Sequence, residues 1–357
     1  MARFDAFQNL RKTQSSELCA FAPLRETLRI PRSDDMKYGF YDRLKEGFPS
    51  QVIVDATEIC NLACVHCPHP EFKKSKHYDG RHLNVELHHK MVCEVKEHGK
   101  GMTQYIRYTS NGEPLVHPHI YEMLGDAVAN SGVFVTLTTN GTLLKGKAID
   151  RLLEIGLDLV DVSIDALTPE TYSKIRVNGD LKITQANVIN LIQKARQTSS
   201  RTKVVVSFVE QPGNRHEAEG FEMFWKSQGA SNVVIRRLHS AAGGVGNIAE
   251  SLRSQQAGEA RRPCLYPWER ILLNPRGELA FCPQDWVHGS VIANYATTTI
   301  KEAWRGEFYR RLREAHLGND FAKHSFCGQC PDWKATRWPG EGRSYADMIQ
   351  DFKSQQS

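Results

Sequence analysis

The 357-residue chain is predicted to be an α/β protein, an open, partial (βα)6 barrel followed by a small C-terminal domain. Three observations predict this. Between residues 51 and 240, six short β-branched runs alternate with amphipathic stretches. The rhythm stops at a segment rich in Gly, Ala, Ser and Gln, residues 241–262. The nine cysteines are placed unevenly: three fall within residues 60–67 and four within 264–330, with Cys19 and Cys93 standing alone.

Residues 1–50 show no strong period. They are taken as an N-terminal extension packing on the main domain, with a short helix before Pro31. The strands of the barrel, 51–240, are expected in QVIVDAT, TQYIRYTS, VFVTLTTN, LVDVSIDA, KVVVSFVE and NVVIRRLH. Between them VELHHKMVCEVKEH, HPHIYEMLGDAVANSG, KAIDRLLEIG, ITQANVINLIQKARQ and EAEGFEMFWKSQG carry helical periodicity. Gly156 and Gly229 stand where helix C-caps belong. Strands alternating with helices imply parallel pairing through right-handed crossovers. Six units are too few for a closed eight-fold barrel. The chemistry of such a fold is expected at the C-terminal ends of the strands. Residues 241–262 are expected to be a linker. In the second domain, 263–340, WERILLNPRGELAFCPQDW suggests a hairpin turning at Pro275-Arg276-Gly277, and TTTIKEAWRGEFYRRLREAH one helix. The tail, 341–357, is polar and helical at best.

The net charge of +5 is scattered along the chain, unlike the concentrated basic face of a nucleic-acid binder. No run approaches the roughly 18 apolar residues of a membrane span, and the N-terminus lacks a signal-peptide core. A cytoplasmic protein is expected, with no nucleic-acid or membrane partner. An odd cysteine count there points to metal binding or catalysis rather than to disulfides.

Cys60, Cys64 and Cys67 are spaced C-x3-C-x2-C on a loop after the first strand. Three thiolates this close can hold three corners of a 4Fe–4S cluster and leave one iron open to a ligand. Zinc sites more often use two C-x2-C pairs with a long insert. The segment CNLACVHC resembles the cluster loop of the radical S-adenosylmethionine (SAM) superfamily, with His66 where that family often has a ring side chain. The resemblance implies that the open iron chelates SAM. One-electron cleavage then gives methionine and a 5′-deoxyadenosyl radical that abstracts hydrogen. Asn111-Gly112-Glu113-Pro114 resembles the family's GGEP motif, with Asn111 in place of the first Gly. Glycine permits close backbone approach, and a carboxylate suits an ammonium group. The resemblance further implies SAM contacts from Asn140, from Ser163 and Asp165 (placed on one face by the two-residue period of a strand), and from Arg176.

Cys264 and Cys282 flank the expected hairpin, and Cys327 and Cys330 form a C-x2-C pair. By spacing alone, zinc and an iron–sulfur cluster are equal claimants. The stretch from Cys264 to Trp333 resembles a short form of the SPASM or twitch extension of radical SAM enzymes, which implies auxiliary 4Fe–4S clusters. A two-cluster extension needs more cysteines than remain, so the expectation is one auxiliary cluster with full cysteine ligation. Asp285 is a possible substitute ligand, although a solvated turn residue is the simpler reading.

A fully ligated auxiliary cluster has no iron free for substrate, so its natural role is electron transfer. This favours net oxidation of a small hydroxylated molecule of sugar or cyclitol type. Epimerisation, decarboxylation and peptide or protein modification are the alternatives within the family. The stretch before residue 50 is too short for a peptide-recognition domain, which favours a small molecule. Epimerisation would need a hydrogen donor such as a free cysteine. Cys93 is expected on an outer helix facing away from the barrel mouth, and Cys19 lies in the extension. At the barrel rim Glu210, Arg237 and His239, with Gln211 and Arg236 beside them, could hold the substrate or take a proton. An electron donor such as flavodoxin or ferredoxin is implied. Two non-enzyme readings stand beside these: a zinc-binding scaffold and an iron–sulfur electron carrier.

Overall fold

The structure, a computed structural model, describes residues 47–334 and 343–355. Most of the expected N-terminal extension, Cys19 included, lies outside the described residues. Six parallel strands form where the β-branched runs predict them. They are β1 (Gln51–Val54), β2 (Tyr105–Tyr108), β3 (Phe134–Thr139), β4 (Leu159–Ser163), β5 (Lys203–Glu210) and β6 (Asn232–Arg237). Helix α1 (His69–Phe72) follows the first cysteine loop. Then come α2 (Val85–His98), α3 (Ile120–Asn130), α4 (Gly146–Ile155), α5 (Pro169–Ile175), α6 (Leu181–Gln197) and α7 (Ala218–Gln228). Local chemistry sets their ends. The Asn84 side chain accepts the N–H groups of Glu86 and Leu87 at the start of α2. Helices α4 and α7 stop at Gly156 and Gly229, both left-handed, with φ of 72° and 86°.

The two faces of the sheet bury different things. Val54, Ile106, Leu137, Val160 and Val206 pack outward against Val92, Leu124, Leu152, Leu191 and Phe221 of the helices. The inward face is apolar near the N-terminal strand ends, where Tyr105, Phe134, Leu159 and Val205 meet Met348, Ile349 and Phe352. Those last three belong to a helix in the C-terminal tail, Tyr345–Ser354, which opens with a capping box between Ser344 and Asp347. The tail is therefore the floor of the barrel. Its apolar residues sit on one helical stripe that only the lumen can cover.

The segment expected to be a linker carries α8 (Gly246–Gln255), with Ile248 and Ala249 buried. Just before it, the Asp332 carboxylate accepts the N–H groups of Ser240 and Ala242 and the Ser240 hydroxyl. Few apolar residues suffice because this clasp fixes the chain. Beyond it come α9 (Tyr266–Glu269), β7 (Arg270–Leu273), β8 (Glu278–Ala280) and β9 (Val291–Asn294). The hairpin turns at left-handed Gly277, as expected. Strand β7 pairs parallel to β1, with Gln51 opposite Arg270, and β8 and β9 follow antiparallel. The C-terminal extension thus continues the barrel's sheet, in the order β6-β5-β4-β3-β2-β1-β7-β8-β9. The single helix expected at 297–316 is two, α10 (Ile300–Arg305) and α11 (Glu307–Gly318). Between them Gly306 is extended, with ψ of 166°. A short α12 (Ser325–Gln329) carries Cys327, and the tail helix is α13 (Tyr345–Ser354). Among the described residues no helix is long and apolar enough to cross a membrane.

Candidate active site in the mouth and lumen of the barrel

Three loops at the C-terminal ends of β1, β2 and β3 are tied into one surface. The β1 loop carries the cysteine triplet, and Glu58 anchors its base by accepting the N–H groups of Asp79 and Arg81 and pairing with Arg276. A Cβ on Gly112 would lie 2.0 Å from the Thr57 carbonyl oxygen and 2.7 Å from that of Ile59. Only glycine lets the β2 loop run this close, and there the Glu113 N–H donates to Ile59 O at 2.9 Å. The buried Glu113 carboxylate accepts the Thr139 hydroxyl at 2.7 Å and the N–H groups of Asn140 and Leu115 at 2.7 and 3.1 Å. Burial raises its pKa, and these donors oppose that rise. Pro114 opens the short turn that follows. The Asn140 side chain donates back to Asn61, inside the cysteine loop.

A second chain of contacts reaches the same loop from β4. The strand ends at Ser163, and Asp165 takes φ of 64°, so the two-residue alternation expected to align them does not continue. Ser163 faces the cavity described below, whereas Asp165 is fully buried behind it. Asp165 accepts the Val209 N–H and pairs with Arg176 at 2.5 Å. Arg176 in turn donates to the Cys64 sulfur at 3.5 Å. His66 sits 3.6 Å from Asp165 and receives the Gln211 amide on Nδ1. Burial lowers its pKa to about 4, so it is neutral.

The donor sets suit iron–sulfur clusters. Burial pushes the thiols up, Cys60 and Cys330 to about 12 and Cys264 to about 11, with Cys64, Cys67, Cys282 and Cys327 raised too. A bound cation must therefore displace these protons. The Cys330 sulfur accepts the Asp332 N–H at 3.4 Å, and backbone N–H groups two residues on oppose the rise at Cys60, Cys67, Cys264 and Cys282. Such N–H donors stabilise thiolates and tune a cluster. Each cysteine set is mutually close enough for its charges to interact. Among the described residues no three His, Cys, Asp or Glu side chains close around a single ion. Asp285 is buried rather than solvated. Its carboxylate accepts the N–H groups of Val287 and Ser290, which makes it a turn residue.

One cavity of about 700 Å³ joins these parts. Cys60, Cys64, Cys67 and His66 line its mouth, as do Asn111, Gly112, Glu113 and Asn140. Arg176, Arg237 and His239 reach it as well. Pro283, Gln284 and Trp286, directly after Cys282, line it too, and Trp286 shares an apolar cluster with Phe72 and Ala241 against which Cys67 packs. Asn111 ties this segment to the β2 loop: its amide donates to Asp285 O, and the Ser110 hydroxyl, on a backbone at φ of 116°, donates to Pro283 O. Glu210 is exposed and does not line the cavity. It follows Val209, which does, and alternation along β5 turns it outward. His239 accepts the Ala241 N–H on Nδ1, so its neutral ring carries a proton on Nε2 and donates rather than accepts. Cys93 lies on α2 with its sulfur 3.5 Å from His89 Nε2, away from the cavity.

Sequence reasoning did not anticipate Arg107, Asp161, Glu269, Arg270 or Tyr345. The Asp161 carboxylate, fully buried in the lumen, takes both Arg107 and Arg236. Charged residues in the middle of otherwise apolar strands, YIRY and LVDVS, were the available signal. Glu269 pairs with Arg270 at the start of β7 and lines the cavity.

Residues 54–215 match the family model of the radical SAM superfamily, and residues 264–331 that of SPASM, an iron–sulfur cluster-binding domain. A GTP 3′,8-cyclase of Chlorobaculum tepidum is 37% identical over 125 residues, 35% of this chain and 35% of that protein. A probable GTP 3′,8-cyclase of Methanocaldococcus jannaschii is 32% identical over 182 residues, 51% of this chain and 57% of that protein. The chain thus spans little more than half, or less, of the curated relatives it matches. Among solved structures, BtrN in complex with AdoMet and 2-DOIA superposes with a TM-score of 0.54 at 16% identity, covering 79% of this chain and 92% of that one. Streptococcus suis SuiB bound to the precursor peptide SuiA gives 0.57 at 13% identity, covering 98% and 85%. At these identities the likeness is one of fold.

Proposed function

The chain belongs to the radical SAM superfamily and carries a SPASM-type C-terminal domain, and on that premise we propose that it is an oxidoreductase acting on a small hydroxylated molecule of sugar or cyclitol type. As a radical SAM enzyme it uses SAM and a 4Fe–4S cluster, with auxiliary iron–sulfur chemistry in the C-terminal domain. Bound together, these groups supply one-electron cleavage of SAM and hydrogen abstraction from an unactivated C–H bond. The carrying observation is one cavity lined both by the Cys60–Cys67 loop and by the residues after Cys282.

Within it, Cys60, Cys64 and Cys67 would hold the SAM-binding cluster. Cys264, Cys282, Cys327 and Cys330 would hold the auxiliary one, with every iron ligated by protein. The substrate loses a hydrogen atom from carbon, a proton from its hydroxyl and an electron to the auxiliary cluster, a net two-electron oxidation. We assign the proton acceptor to Glu269, a cavity-lining carboxylate paired with Arg270, whose pKa burial raises. Arg237 and His239 act as donors that hold the substrate. A cytoplasmic setting and a flavodoxin or ferredoxin as electron donor complete the proposal.

Anaerobic turnover with SAM and a polyol panel is the test. One 5′-deoxyadenosine should form per product, and the product should carry no solvent deuterium at the reacting carbon when made in heavy water. Glu269→Gln should keep SAM cleavage and lose oxidation. Stereospecific deuterium uptake at that carbon would establish epimerisation instead, and modification of a peptide would remove the small-molecule reading. A second reading, rearrangement of a purine nucleotide, is favoured by the relatives named GTP 3′,8-cyclase. Cyclisation of GTP in the same assay would replace the first.

A further inference from the structure

We propose that the lumen seats a phosphate monoester, so that the substrate is a phosphorylated polyol anchored by Arg107 and Arg236. This rests on the hydrogen-abstraction reading above and names the substrate class of that same site. Arg107 and Arg236 approach one oxygen of Asp161, at 3.1 and 2.5 Å, and Ser207 donates to the other. Asp161 is fully buried, and among the described residues it is the only carboxylate paired with either guanidinium. Two cations thus share one anion. Arg237, exposed at the rim, borders the same cavity and has no ion pair among the described residues. Two guanidinium groups against one carboxylate leave a net positive charge, which the anionic phosphate of a monoester would offset. An uncompensated charge in this half-buried lumen is costly, and a bidentate oxyanion is the ligand a guanidinium fork fits.

The floor beneath this pair is built to keep it in place. The Tyr345 ring of α13 lies 4.0 Å from the Arg107 guanidinium carbon and 5.4 Å from that of Arg236, while Thr138 accepts from Arg107 Nε. Tyr345 thereby holds both cations by ring-face attraction without neutralising either. A second observation identifies the rest of the ligand. Gln51 Oε1, Gln284 Oε1 and Arg270 Nε are buried with no hydrogen-bond partner, and all three residues line the cavity. Two acceptors and one donor left open suit hydroxyl groups, which both donate and accept.

Binding of matched pairs to the reconstituted enzyme with SAM present tests this: myo-inositol against its 1-phosphate, glucose against glucose 6-phosphate, with glucuronate and GTP as further probes. The monophosphates should bind about tenfold or more tightly than the parent polyols, the scale of a charge-assisted contact. Arg236→Gln and Arg107→Gln should each erase that preference while the SAM-dependent spectrum of the first cluster persists. Should the lumen variants fail to fold, Arg237→Gln supplies the readout on the cavity wall, with a smaller loss of the same preference. Equal binding of polyols and phosphates, tighter binding of glucuronate or GTP, or phosphate preference surviving all three variants would overturn the seat. Deoxyadenosine formation without phosphate preference would sink the seat and leave the hydrogen-abstraction reading standing. Phosphate preference with no oxidised product would do the reverse.

Discussion

Around Glu113 three donors from β3 and its own turn converge on one buried carboxylate, so a substitution there touches both ligand binding and the fold. Glu113→Ala should weaken SAM binding, since a carboxylate opposite an ammonium group outweighs a neutral contact. It should also cost about 1–3 kcal/mol of stability, because the Asn140 N–H and the Thr139 hydroxyl lose their acceptor in a buried site. Calorimetric SAM titration and urea unfolding read the two effects separately. Unchanged SAM affinity with lowered stability would leave Glu113 as a strut alone. The GEP segment could be read in the sequence because its residues are contiguous. Its partners could not, since Thr139 and Asn140 meet Glu113 only through the register of β2 with β3. Asp165 shows the opposite failure. Strand periodicity holds to Ser163, and then one left-handed residue turns the carboxylate from the cavity to Arg176.

Among the elements, the β2 loop makes the sharpest demand on its sequence. Gly112→Ala places a methyl group where the Thr57 carbonyl lies, at 2.0 Å, against backbone that cannot swing aside as a side chain would. The cysteine loop must shift. The expected result is loss of about half the bound iron, with the auxiliary cluster's spectrum retained. Iron analysis with electron paramagnetic resonance checks it, and full iron content would show that the loop tolerates the displacement. Strands β1 to β6 and their helices were legible because each period is written within its own segment and punctuated by caps such as Gly156 and Gly229. Helices α8 and α13 were not. Their few apolar residues gain meaning only from distant partners, Asp332 clasping the approach to α8 and the lumen covering Met348, Ile349 and Phe352. The break between α10 and α11 falls at Gly306, where the chain turns extended inside an otherwise continuous helical period.

At the scale of the whole molecule, β1 lies between β2 and β7 in one sheet. The strand that delivers the first cysteine loop is therefore hydrogen-bonded to the strand that leads toward Cys282. The cysteine counts at both ends were plain in the sequence. Their joining was not, because the parallel pairing of Gln51 with Arg270 spans most of the chain. The sheet joins the two cysteine sets, and each interacts within itself, Cys67 with Cys60 and Cys64, and Cys282 with Cys264, Cys327 and Cys330. Two clusters give an expected content of about eight irons per chain after anaerobic reconstitution. Changing Cys60, Cys64 and Cys67 together to Ala should remove about half of that iron and all SAM cleavage, while the sheet keeps the auxiliary site folded. Changing Cys282 and Cys330 together to Ala should remove the other half. It should leave SAM cleavage without substrate oxidation, because the first cluster and the three tied loops at the barrel mouth stay in place. Iron near four with zinc in the second set would refute the auxiliary cluster, and with it the oxidation that needs an electron acceptor.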